Sequence, residues 1–180
     1  MQIKSILVFP LVFLFLQVFV QCSPEQEIEK SSFDIYKKYS KIDGAEVFSL
    51  PPQLVSVFLD DETTGNPEIK DLLQDVKFLT LLMIPNKGKT KESIQFASIS
   101  HELKELNYVD LTMVNNGNEI VKVKILRDSS SIEELVVLIS NYETLFCVSF
   151  IGEIQMNKIV NLTKPENMIA ISNLNRLSNK

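Results

Sequence analysis

Tyr108-Val109-Asp110-Leu111-Thr112-Met113 and, past Asn115-Asn116-Gly117-Asn118, Val121-Lys122-Val123-Lys124-Ile125 mark the point where the hydrophobic period of the chain changes from 3.6 to 2. Val109, Leu111 and Met113 alternate with Tyr108, Asp110 and Thr112, as in a strand with one face on a core. The Asn-Asn-Gly-Asn segment supplies hairpin chemistry, because Asn and Gly tolerate positive φ. Asp128-Ser129-Ser130-Ser131 makes the next turn, and residues 134–140 and 144–151 are two further strands joined by Asn141-Tyr142-Glu143. Sequence proximity makes these four strands an antiparallel meander. Lys122, Lys124 and Glu134 are expected to give part of this sheet a solvated face.

Upstream, the period is helical. Residues 31–40 form a helix capped by Ser31 or Ser32, with Phe33, Tyr36 and Tyr39 on one side. Residues 45–50 form a short strand that Pro51-Pro52 stops, and Leu54, Val57 and Phe58 mark a helix after it. Asn66-Pro67 opens a helix carrying Ile69, Leu72, Leu73 and Val76. Phe78-Leu79-Thr80-Leu81-Leu82-Met83-Ile84 is apolar enough for a central strand covered on both faces. Thr90 caps a helix running to about Leu106, with Phe96, Ile99, Leu103 and Leu106 buried. Met156, Ile159, Val160 and Leu162 suggest a short closing helix. The expected fold is α+β: the C-terminal four-strand meander plus one or two N-terminal strands in an antiparallel sheet, with helices packed on one face.

The ends belong to a different class. Lys4 precedes a run of Ile, Leu, Val and Phe from Ile6 to Val20, broken by Pro10 and Gln17. Fifteen helical residues span about 22 Å, short of the roughly 30 Å bilayer core, so residues 1–22 read as a signal peptide. Val20-Gln21-Cys22 permits ordinary cleavage after Cys22; alternatively Cys22 becomes the first residue and carries lipid, with acidic residues 23–31 as a polar tether. Either route takes the protein out of the cytoplasm, to the periplasm or outer surface. Residues 32–163 make one domain, and the Asn- and Ser-rich residues 164–180 a polar tail.

The 180 residues are 45% hydrophobic and 23% charged, with no Trp, one His and two Cys, which suits a single domain with a proper core. The net charge of −5 becomes about −6 once Lys4 is removed, which argues against nucleic acid as a partner. Chemistry is sparse. His101, in His101-Glu102-Leu103-Lys104-Glu105, is a near miss to the zinc-protease helix motif: Glu105 stands where the second His belongs, and no third ligand is evident. A Ser–His–Asp triad would need the same His101, and no Gly-x-Ser-x-Gly elbow exists. Asp60-Asp61-Glu62 lacks calcium-loop spacing, the glycines are too isolated for a phosphate loop, and Lys87, Lys89 and Lys91 form only a small basic loop. Cys147, in Leu145-Phe146-Cys147-Val148, reads as a buried hydrophobe. Asn161-Leu162-Thr163 matches the glycosylation sequon, which matters only in a eukaryotic secretory pathway.

As an ordered set, Phe33-Asp34-Ile35-Tyr36, Asp43-Gly44-Ala45-Glu46-Val47, the helix at 52–59, the strand at 77–84, Ile132-Glu133-Glu134-Leu135-Val136-Val137-Leu138, Val148-Ser149-Phe150-Ile151-Gly152-Glu153-Ile154 and Ile159 resemble the domain-of-unknown-function 4252 family. The resemblance covers roughly residues 33–162. It implies a small exported α+β protein, sometimes lipid-anchored, of a kind found mostly in Bacteroidota and without assigned activity or catalytic residues. The expected function is therefore a non-enzymatic extracytoplasmic module that binds an unknown envelope protein, without cofactor or metal. Two alternatives stand beside it: a carrier of a small apolar ligand or lipid, and a metal-dependent hydrolase built on His101 with Glu105. An exposed edge of the meander could accept a partner strand.

Overall fold

The computed structural model describes residues 31–54, 67–88, 90–128 and 131–164. The signal segment, Cys22, nearly all of the tether, most of the helix expected after Pro51-Pro52, the Asp60-Asp61-Glu62 loop, Lys89, Ser129, Ser130 and the tail beyond Lys164 lie outside them. The elements run α1 (Ser32–Tyr39), β1 (Glu46–Leu50), α2 (Pro67–Leu73), β2 (Val76–Pro85), α3 (Ile94–Glu105), β3 (Val109–Asn115), β4 (Glu119–Arg127), β5 (Ile132–Asn141), β6 (Thr144–Ile154) and α4 (Met156–Leu162). The six strands form one antiparallel sheet in the order β1-β2-β6-β5-β4-β3. The α+β class and the four-strand meander are as the alternation predicts.

Local chemistry accounts for the turns. Asn116 Oδ1 accepts from the N–H of Asn118 and of Glu119 at 3.2 and 3.0 Å, and Gly117 takes φ +91°. Asn141 Oδ1 accepts from Glu143 and Thr144 N–H, both at 2.8 Å, closing the β5–β6 hairpin. The long helix starts three residues later than Thr90 implies. Ser93 is its cap, its hydroxyl accepting from Phe96 N–H at 3.1 Å.

The helices cover both faces of the sheet, which corrects the expectation of a single covered face. On one face, α2 (Ile69, Leu72, Leu73) and α4 (Ile159, Leu162) share a core with Leu79, Leu135, Val137, Val148 and Phe150. On the other, α1 (Ile35, Tyr36, Tyr39) and α3 (Phe96, Ile99, Leu103) share a core with Leu82, Val136, Leu138 and Cys147. Successive strand residues point to opposite sides, so Leu135 and Val136 necessarily feed different layers. Each such side chain contributes roughly 1.5–3 kcal/mol on burial. The route of the chain explains the second layer: β2 and β3 are consecutive in sequence yet separated by β6, β5 and β4, and α3 makes that crossing.

The solvated face expected of the meander is also corrected. Lys122, Lys124 and Glu134 do share a face, but it is the one under α1 and α3. Lys124 is 1% exposed and Glu134 5%. Nearly unbroken apolar runs on β5 and β6 are the signature of strands covered on both sides, so an occasional polar residue within them points into a layer.

Candidate functional site

The Glu134 carboxyl is buried on β5, and the elements around it converge on its two oxygens. Ser32, at the start of α1, donates its hydroxyl to Oε1, and Tyr108 donates to Oε2 at 2.5 Å. Ser149 on β6 lies under the same helix, its Oγ 3.1 Å from Ser32 Oγ and 2.9 Å from the Tyr36 hydroxyl. Among the described residues no ion pair reaches Glu134. Its environment is built from hydroxyl donors alone.

Each partner is placed by a short-range rule. Asp34 accepts from the Ser31 N–H at 3.0 Å, a reciprocal cap that fixes where α1 begins and so where Ser32 points. Tyr108 follows a Schellman motif closing α3. Asn107 N–H bonds Lys104 C=O and Tyr108 N–H bonds Leu103 C=O, both at 3.0 Å, with Asn107 at φ +66°. That left-handed residue turns the chain so that the Tyr108 ring enters the layer beside Leu103. Burial first, then the charge of Glu134, raises the Tyr108 hydroxyl well above its ordinary range. Burial likewise raises Tyr36, with Cys147 and Glu134 adding to it.

Toward the β3 edge lies a charged group. Lys124 Nζ is 2.5 Å from Asp110 Oδ1, and Lys122 Nζ is 3.4 Å from Oδ2 and donates to Ser100 Oγ on α3 at 3.1 Å. Burial opposes the charge on Asp110, but the two lysines outweigh it and hold the carboxyl below its ordinary value. The stems of both lysines lie under α3 while Asp110 remains 56% exposed.

The residues singled out in the sequence do not converge on one another. His101 and Glu105 are both exposed on α3. Glu102 between them works in the opposite direction: one oxygen accepts from Lys38 Nζ at 2.8 Å and from the Tyr39 hydroxyl at 2.7 Å, tying α3 to α1. Among the described residues no three His, Cys, Asp or Glu gather at metal-binding distance. Cys147 is fully buried, and burial raises its thiol far above the ordinary value. Lys87 pairs with Asp43 at 3.2 Å, and Lys91 donates to Asn115 Oδ1 at 2.7 Å. Asn161 is exposed on α4. Among the described residues no helix is long and apolar enough to cross a membrane.

The Glu134 cluster is hard to see in the sequence because its members lie on four separate elements and a Glu in a strand reads as facing water. The usable signal was Leu135 to Ile139, an uninterrupted apolar run directly after it. Chemically, the cluster locks α1 and the α3–β3 connection onto the sheet. Every buried side-chain polar atom described has a partner, so this interior is occupied by its own hydrogen bonding.

A six-stranded antiparallel sheet between two helix layers, cross-braced by a buried carboxyl, defines a compact α+β domain in which, among the described residues, β1 and β3 are the sheet edges. The chain belongs to the family described as Domain of unknown function (DUF4252), whose profile matches residues 36–162. No curated protein and no solved structure matches it.

Proposed function

We propose that this protein is a non-enzymatic extracytoplasmic interaction module of the cell envelope, and that it engages a protein partner through the edge strand β3. The observation that carries the reading is the make-up of that edge. β3 ends the sheet, pairs only with β4 among the described residues, and leaves Val109 53% and Met113 58% exposed. It holds no Lys, Arg or Pro, residues that commonly keep a sheet edge from pairing, and beyond its bulge at Asp110/Thr112 the stretch from Thr112 to Asn115 pairs in regular register with β4. Its single charge, Asp110, is engaged from within by Lys124 and Lys122. Such an edge suits β-augmentation, in which main-chain hydrogen bonds supply affinity and alternate side chains supply selectivity. The apolar segment at residues 6–20 and Cys22 support export, with lipid on Cys22 as the anchor.

Crosslinking in living cells, with identification of captured proteins, tests the reading. Adducts from positions on β3 and none from the outer face of α4 are expected; the reverse pattern would refute an edge-mediated role. Anchoring is tested separately. Cys22→Ala moves the protein out of the membrane fraction if Cys22 carries lipid, and unchanged fractionation rules that out.

A further inference from the structure

We infer that the partner strand on β3 is β3 of a second copy of this chain, joined antiparallel about a twofold axis. The inference rests on the reading of β3 as an interaction edge and names its occupant. Three observations converge on it.

The first is backbone geometry. Asn116 N–H donates to Glu119 C=O at 3.2 Å in the β3–β4 hairpin. Bonded and non-bonded pairs alternate along an antiparallel ladder, so the next bonded pair is Val114 with Val121. The N–H and C=O groups of Met113 and Asn115 therefore point outward, away from β4, and are available to another strand.

The second is charge. Asp110 stands near one end of β3, half in water, and the Lys91 ammonium is held at the other end by Asn115. Antiparallel self-pairing brings each Asp110 alongside the Lys91 end of the other copy, twice over. Because Asp110 is the only charged residue in β3, only a register centred on it would set like charges face to face. The third is continuity of the core. Leu111 and Val114 pack against the α2/α4 layer yet stay only partly buried at its rim, and a neighbouring strand would complete their burial. The contact is isologous, so it closes as a dimer of two six-stranded sheets and does not propagate into fibres.

Sedimentation velocity on the full chain in mild detergent, up to about 200 µM, tests this. Wild type should show a concentration-dependent monomer–dimer equilibrium. Met113→Pro removes an outward N–H without touching the β3–β4 ladder, and should weaken dimerisation at least about tenfold. Lys91→Glu keeps the backbone intact and should weaken it too, with the wild-type dimer loosening as salt is raised. A wild type that stays monomeric throughout, or a dimer indifferent to both variants, overturns the proposal. A photocrosslinker at position 113 separates the two readings in cells. A self-adduct supports pairing of copies. Adducts only to a different protein overturn self-pairing while leaving the edge reading intact, and no adduct at all overturns both.

Discussion

Asp110 is half in water and Lys124 is almost wholly out of it, so the two ends of their ion pair are not equivalent. Removing the lysine leaves a carboxylate that water and Lys122 can still serve; removing the aspartate leaves a cation buried between β4 and α3. Breaking a buried pair from the side that strands a charge typically costs 3–5 kcal/mol, whereas replacing Lys124 with an apolar residue of similar length strands only a carboxylate already half in water. Asp110→Ala is therefore expected to lower stability by about 3 kcal/mol and Lys124→Met by less than about 1 kcal/mol, measured by urea unfolding at pH 7. Equal losses would mean that Lys124 is not held by Asp110 in solution. The same asymmetry hides these residues from a linear reading: Lys and Glu in a strand look solvated until the partner from another element is known. Glu134 is the plainest case, its donors being 102 and 26 residues away in sequence.

At the scale of elements, the register shifts in four of the five strand pairings, and two departures from a regular sheet bear most on the fold. One is the bulge in β3 between Asp110 and Thr112. Strict alternation would put Val109, Leu111 and Met113 on one face. With the bulge, Val109 pairs with Ile125 on the α2/α4 side and Met113 with Lys122 on the α1/α3 side. An extra residue resets the period, and no composition rule reveals where it falls. The other is the crossing of the α2–β2 turn over β6 at Gly152. A Cβ there would lie 2.1 Å from the Asp75 carbonyl oxygen, which also accepts from Glu153 N–H at 3.2 Å. Lys158 on α4 reinforces the junction, 2.9 Å from Asp75 and 3.3 Å from Asp71. Gly152→Ala is expected to cost at least about 3 kcal/mol, because backbone and not a flexible side chain must move. Gly117→Ala meets open space and bears only the strain of its positive φ, about 1 kcal/mol. Thermal unfolding of the two variants checks the ranking, and a Gly152→Ala protein as stable as Gly117→Ala would place the crossing elsewhere.

For the molecule as a whole, the α1/α3 layer holds neutral groups that burial keeps protonated. Tyr36, Tyr108 and Cys147 are raised strongly, and burial with the Glu102 hydrogen bond pushes Tyr39 up to about 12. In the unfolded chain these groups ionise near their ordinary values, 9.0 for the thiol and 10.0 for the phenols. Folded values above unfolded ones mean that their contribution is complete below pH 9 and is lost as pH rises past it, because the unfolded state then sheds protons that the folded state retains. The urea midpoint should hold from pH 7 to about pH 8.5 and fall steeply towards pH 11. Tyr36→Phe combined with Cys147→Ala should flatten that fall, and a flat wild-type profile would count against a closed layer.

Much of this fold was legible in the sequence. Periods of 2 and 3.6, Asn-Gly turns and helix caps are local signals, and they located every described strand and helix to within a few residues and joined four strands into a meander. Three matters were decided only in three dimensions: that helices lie on both faces, that Glu134 and Lys124 are interior, and that β3 is an edge strand among the described residues while β2 lies between β1 and β6. The reason is that hydrophobic period specifies which side chains must be buried but not by what. Whether a face meets water, a helix or another strand depends on contacts between residues far apart in the chain.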